Sequence, residues 1–273
     1  MKELIKRTLT GIVFIVVVIG SVLYNSYTFS GLFFVVNLLG LIEFYSLMQK
    51  HQMPVQKYSG IIIGCLLYAN FFFMLNNLDY IEFLIFFPAL FLTVFSVELF
   101  LSRPHPFTNI AHTLTGVVYV TVPLIMFTGI PFNVTAFHSY QSYIVIGYFV
   151  ILWTSDTFAY LIGTWIGKHR ILERVSPKKS WEGLAAGFVF AFIAAYILSL
   201  YYTRFTLQQW LIIAAVIVIT GVIGDFVESM FKRSIQVKDS GHILPGHGGI
   251  LDRFAPVFFS APFVFVTLYL MGK

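Results

Sequence analysis

Asp225 and Glu228 stand three residues apart in a long apolar run, so a helix there carries both carboxylates on one face. Positive charge resumes at Lys232, which at helical rise leaves Asp225 about 10 Å inside the apolar segment. Asp156 lies deeper in another such run. Carboxylates are costly in hydrocarbon and usually mark a site or a polar path. The plainer reading is a polar group paired with a neighbouring helix. The basic residues and Gly-rich loop after Asp225 favour function there, and the same reading extends to Asp156. Glu43 and Glu98 fall near the ends of their apolar runs and are expected simply to reach the interface.

Two polar segments follow these carboxylates. In "SPKKSWEG", residues 176–183, Lys178, Lys179 and Ser180 precede an apolar helix, whose N-terminal N–H groups suit a phosphate. Taken alone, paired lysines before a span are ordinary flanking charge. The second segment is "KRSIQVKDSGHILPGHGGILDR", residues 232–253. Gly246, Gly248 and Gly249 permit close backbone approach to an anion. Lys232, Arg233, Lys238 and Arg253 supply positive charge, and arginine can grip phosphate through two N–H groups. Asp239 and Asp252 offer hard oxygens suited to Mg²⁺. A solvated flexible loop has no need of this combination, so metal-assisted chemistry on a phosphorylated substrate is the better reading. No G-x-x-x-x-G-K-[ST] loop or G-x-S-x-G elbow occurs, which disfavours an ordinary ATPase or a serine lipase.

The elements that must position these groups follow from composition. The chain has 273 residues, 58% of them hydrophobic and 11% charged. Globular proteins carry roughly 25% charged residues, so a soluble fold with a large core is a poor reading. Residues 8–42, 104–155, 183–203, 205–224 and 255–272 contain no Asp, Glu, Lys or Arg. The expectation is an all-α polytopic membrane protein with about nine transmembrane helices, near 8–24, 30–49, 59–76, 81–101, 113–130, 141–166, 183–202, 206–230 and 256–271. The first run is read as a retained span rather than a cleaved signal, because no small-residue cleavage site stands out. With the N-terminus cytoplasmic and the C-terminus outside, only Arg204 and Lys273 of the 17 Lys and Arg residues face outward. The net charge of +5 is met by this bias and by anionic lipid, and no nucleic-acid partner is called for. The organisation expected is an N-terminal bundle over 1–140 and a catalytic region over 141–273, with cytoplasmic loops at 167–182 and 231–255. The single Cys65 excludes an internal disulfide.

The run "SMFKRSIQVKDSGHILPGHGGILDRF" resembles a known signature: S-x-apolar-K-R-x4-K-D-x-small-x2-apolar-P-x-H-G-G-apolar-x-D-R-apolar-D. Its fixed positions are met at Ser229, Lys232, Arg233, Lys238, Asp239, Pro245, His247, Gly248, Gly249, Asp252 and Arg253. "SDTFAYLIG", Gly167-Lys168 and "SPKKSWEG" are similar to upstream motifs of the same family. The family is that of the phosphatidate cytidylyltransferases, or CDP-diacylglycerol synthases. The specific resemblance covers about 150–273, and the earlier spans are alike only in hydrophobicity.

The resemblance implies that CTP and phosphatidic acid give CDP-diacylglycerol and pyrophosphate in phospholipid synthesis. The enzyme would lie in a bacterial inner membrane with its site on the cytoplasmic side. Mg²⁺ is implied, a second cation such as K⁺ is allowed, and the family suggests a homodimer. Asp225 and Asp252 are then metal ligands, with Glu228 and Asp156 as further ligands or supports. Lys178, Lys179, Lys238 and Arg253 meet the nucleotide phosphates or leaving pyrophosphate, with Ser180, Gly248 and Gly249 beside them. Asp239 completes the catalytic set. Lys232 and Arg233 are candidates for the lipid phosphate. His247 either donates to phosphate or serves the turn. The family pattern ends in Asp where this chain has Ala255, which predicts reduced activity. The rivals are a CTP-dependent lipid kinase and a transporter or flippase. The D-G-x2-A-R pattern of the CDP-alcohol phosphotransferases is absent.

Overall fold

The computed structural model describes residues 2–76, 86–101, 103–132, 140–241, 243 and 248–272. These residues are helical with short connections. No extended strand occurs among them, only isolated bridge residues, with Arg170 paired to Ser180 and another at Gly248. A chain with so few charges has to satisfy its backbone internally, and the α-helix does this within each segment.

The helices are α1 (Lys2–Tyr24), α2 (Ser26–Lys50), α3 (Lys57–Asn76), α4 (Phe86–Leu101), α5 (Pro106–Gly116), α6 (Val122–Gly129), α7 (Ser142–Ile166), α8 (Trp181–Tyr201), α9 (Leu207–Ser234) and α10 (Ile250–Met271). Among the described residues, seven helical stretches are long and apolar enough to cross a membrane, which makes the chain an integral membrane protein by that measure. Of the nine expected spans, the first and fourth correspond to shorter apolar helices, Thr8–Tyr24 and Pro88–Leu101. Residues 81–85 of the fourth lie outside the described residues.

The fifth span is longer than expected. It runs continuously from Pro106 to Phe132 through a π turn at Val117–Thr121. Pro123 has no N–H to give the carbonyl one helical turn back. The widened turn, closed by Val122 N–H on the Val117 carbonyl, accommodates it within the helix.

The last span also begins earlier. Pro256 reads as a boundary, yet α10 starts at Ile250 and carries Pro256 and Pro262 inside it. Asp252 and Arg253 therefore sit on its first turn rather than in a loop. Likewise α9 continues to Ser234, which puts Lys232 and Arg233 on its last turn.

The chain divides into two units, residues 1–129 with 239–254, and residues 130–238 with 255–273. In the first, Phe33 is the centre of an aromatic core, with ring centroids 4.7 Å from Phe127, 5.0 Å from Phe29 and 5.9 Å from Phe254. Tyr45 is fully buried, and its hydroxyl donates to the Thr113 carbonyl at 2.6 Å. Glu98 does not reach an interface. It is 2% exposed, and its carboxylate accepts from Gln56 Nε2 at 2.6 Å and from Asn109 Nδ2.

In the second unit, α7 and α8 approach so closely that a Cβ on Gly163 would lie 3.3 Å from the Gly183 Cα. Phe158 and Phe190 stack in parallel at 3.5 Å between the same two helices. Helix α9 meets α10 at Gly224, where a Cβ would come within 2.6 Å of both the Ala255 carbonyl oxygen and Phe259 Cβ. These contacts hold the helices that carry Asp156 and Asp225.

Candidate active site

The second unit brings together groups from three segments. Helix α9 presents Asp225, Glu228 and Lys232 along one side. Glu228 is 5% exposed and pairs with Lys232 one turn on, at 2.7 Å. Lys179 reaches Asp225 from the segment before α8, forming an ion pair in which both side chains are partly exposed. The Lys179 ammonium also lies 5.0 Å from the centroid of the Phe226 ring. Asp156, on α7, is exposed and feels the charges of both Asp225 and Lys179.

Residues 167–182 fold back on themselves, and this aims Lys179. Ile171 N–H donates to the Lys179 carbonyl at 3.1 Å, and Trp181 N–H to the His169 carbonyl at 2.9 Å. Arg170 Nη1 donates to the Lys178 carbonyl at 3.1 Å. The Glu182 carboxylate receives Lys168 N–H and His169 N–H, both at 3.2 Å, and lies 2.6 Å from His169 Nδ1. Ser180 is buried as the N-cap of α8 and accepts from Gly183 N–H at 3.2 Å. Lys178 is left exposed, as are Arg233 and Lys238.

The first unit holds the remaining signature residues. Asp239 and Arg253 are exposed. Asp252 Oδ2 accepts from Ser240 N–H and Gly249 N–H, each at 2.9 Å. The second bond is the reach-back half of a capping box, with Asp252 three residues into the helix turn. The Gly249 N–H, expected to face phosphate, is thus turned to Asp252. Gly248 has φ +89°, a left-handed conformation that glycine adopts without steric cost, and a Cβ there would meet Asp252 Oδ2 at 2.7 Å. His247, Pro245 and Gly246 lie outside the described residues.

Glu43 is the residue that sequence reasoning undervalued. It does not reach the interface. It is 5% exposed, and its carboxylate receives Ile250 N–H at 2.9 Å, Leu251 N–H at 3.1 Å and the Ser240 hydroxyl. The signal was present, since a carboxylate inside an apolar run is expected to have a specific partner. Its place near a span end pointed instead to solvent.

Among the described residues, no group of three or more His, Cys, Asp or Glu side chains forms a ready-made metal cage. The Asp156 and Asp225 pair still fits Mg²⁺ by its oxygen chemistry. That ion is commonly held by one or two carboxylates together with substrate phosphates and water.

The profile of the cytidylyltransferase family matches residues 5–271. The chain is 38% identical over 167 residues to a protein of Staphylococcus haemolyticus named phosphatidate cytidylyltransferase, covering 60% of this chain and 61% of that one. It is 43% identical over 122 residues to the Staphylococcus aureus protein of the same name, covering 44% and 46%. These alignments therefore span less than two thirds of the staphylococcal relatives. A Bacillus subtilis phosphatidate cytidylyltransferase aligns over the whole of both chains at 29% identity. With the profile matched from residue 5 to residue 271, the chain belongs to the cytidylyltransferase family.

Proposed function

We propose that the chain is a phosphatidate cytidylyltransferase, converting CTP and phosphatidic acid to CDP-diacylglycerol and pyrophosphate. The observation that carries this reading is the signature run 229–254 within a chain matched to the family over 5–271. The pairing of Lys179 with Asp225, beside Asp156, supports it with a site that combines oxygen ligands and a cation.

An oxygen of the lipid phosphate attacks the α-phosphorus of CTP. The bond from that phosphorus to the bridging oxygen breaks, and pyrophosphate leaves with the electron pair. The attacking oxygen is already anionic at neutral pH, so no strong protein base is required. Lys178, Lys179, Lys238 and Arg253 bind nucleotide phosphate and leaving pyrophosphate, and Lys232 and Arg233 bind the lipid phosphate. Asp225 and Asp156 would hold Mg²⁺ with support from Glu228, and Asp252, a loop anchor, would offer a further ligand oxygen. When bound, Mg²⁺ supplies charge neutralisation on the phosphates, and a second cation such as K⁺ is admitted. The polar segments face the cytoplasm at a bacterial inner membrane, with the N-terminus on the same side, and the protein works as a homodimer.

Position 255 lowers the activity of this chain, because alanine lacks the oxygen that the family Asp supplies. The test is to incubate purified protein with CTP, phosphatidate and Mg²⁺ and to quantify both products. Liponucleotide and pyrophosphate in equal amounts are expected. Neither product from the unaltered chain or from Ala255→Asp would overturn the reading.

A further inference from the structure

We propose that Glu43 is a positioning residue for the transfer reaction. Its carboxylate closes the neck of the 240–249 segment and thereby fixes the helical turn that carries Asp252 and Arg253. This inference rests on the cytidylyltransferase reading of those two residues.

A helix begins with four N–H groups that lack intrahelical partners. At α10 two of them, from Ile250 and Leu251, point at Glu43, and the preceding Gly249 N–H points at Asp252. A carboxylate at this end is also favoured by the helix dipole. Ser240 closes the other side of the neck with both of its donors. Its N–H goes to Asp252 and its hydroxyl to Glu43. Two carboxylates thus grip both ends of one segment, Asp252 from the helical turn that follows it and Glu43 from α2.

The glycines follow from this grip. A Cβ on Gly249 would run into the Glu43 carboxylate and the Ser240 hydroxyl, and one on Gly241 would come within 2.6 Å of Glu43 Oε2. Both positions are small because they pack around Glu43, whatever ligand approaches the segment. Glu43 itself stands on a rigid element, since Phe33, Leu41 and Tyr45 of the same helix are fully buried. Any error in the first turn of α10 is carried directly to Asp252 and Arg253.

Glu43→Gln keeps the size of the side chain but offers one carbonyl oxygen to donors that used two, and turns an NH₂ toward the rest. The experiment pairs steady-state kinetics with amide hydrogen exchange in detergent, on the full chain and in the Ala255→Asp background. For Glu43→Gln the account expects kcat/KM to fall about 10- to 100-fold, the range typical of residues that hold a catalytic ligand in place. Amides of 249–252 should exchange faster, while those of α9 are unchanged. Ser240→Ala, which removes one of the three bonds, should show the same pattern with a loss of a few fold, and it serves if Glu43→Gln fails to fold. Faster exchange with unchanged kinetics would overturn the positioning role, and unchanged exchange would overturn the clamp. If neither the unaltered chain nor Ala255→Asp transfers cytidylyl groups, the reaction reading fails and the positioning role with it, while exchange still reports on the clamp.

Discussion

Replacing Lys232 by Met should destabilise the protein far more than a surface substitution, and the reason lies in its partner. Glu228 is 5% exposed and lies 2.7 Å from the Lys232 ammonium, whose side chain is 16% exposed. At that distance, with an effective dielectric constant of about 20, the attraction is roughly 6 kcal/mol before desolvation. Desolvation cancels much of this. Removing one partner nevertheless withdraws the adjacent opposite charge from a buried carboxylate, and loss of one member of a buried pair typically costs about 3–5 kcal/mol. Lys232 retains some exposure, so about 3 kcal/mol is expected for Lys232→Met. Replacing both residues, as Glu228→Gln with Lys232→Met, removes the buried negative charge as well, and that protein should recover about 2 kcal/mol of the loss. The assay is a double-mutant cycle by reversible unfolding in mixed micelles. A Lys232→Met protein within about 0.5 kcal/mol of the unaltered chain would refute the reasoning, as would a coupling near zero. Comparing the double variant with Glu228→Gln alone isolates the proposed chemical role of Lys232, because Glu228 also supports the metal ligands. Once the double variant's stability is restored, a raised KM for phosphatidate with an unchanged KM for CTP would mark Lys232 as a lipid-phosphate contact.

Two further outcomes follow from local geometry. Ala255 is 2% exposed beside Gly224, so Ala255→Asp should lower stability by about 1–3 kcal/mol without divalent ion. Mg²⁺ should restore that stability and raise turnover above that of the unaltered chain, as thermal unfolding with and without EDTA and a parallel activity assay would show; equal activity of the two proteins would remove the ligand role from position 255. Ser180→Ala should cost about 1 kcal/mol through loss of the α8 cap, read by chemical unfolding. If Ser180 also contacts nucleotide, the KM for CTP rises as well.

The helices were legible because long uncharged runs leave the backbone no other way to satisfy its donors and acceptors. Their ends were less so. Pro256 resembles a stop signal, but the start of α10 depends on Glu43, which lies far away in sequence and meets the Ile250 and Leu251 N–H groups only after folding. The π turn before Pro123 is likewise a local repair that apolar periodicity does not record. Within the site, Asp225 and Glu228 were legible from burial cost and helical spacing. The partner of each was not. Lys179 meets Asp225 only because the segment before α8 turns back on itself, through Arg170, Glu182 and main-chain bonds. Glu43 and Asp252 show the same limit, since a carboxylate's type and depth do not reveal whether it receives backbone N–H groups or faces a ligand.

The central claim is that this chain transfers a cytidylyl group to phosphatidate. The measurement that tests it most directly uses CTP labelled separately at the α- and γ-phosphates, with phosphatidate vesicles and Mg²⁺, on the unaltered chain and on Ala255→Asp. The account predicts α-label in the lipid product and γ-label in pyrophosphate, with more turnover from Ala255→Asp. Label from the γ-phosphate in the lipid would identify a kinase, and no lipid label from either protein would contradict cytidylyl transfer altogether.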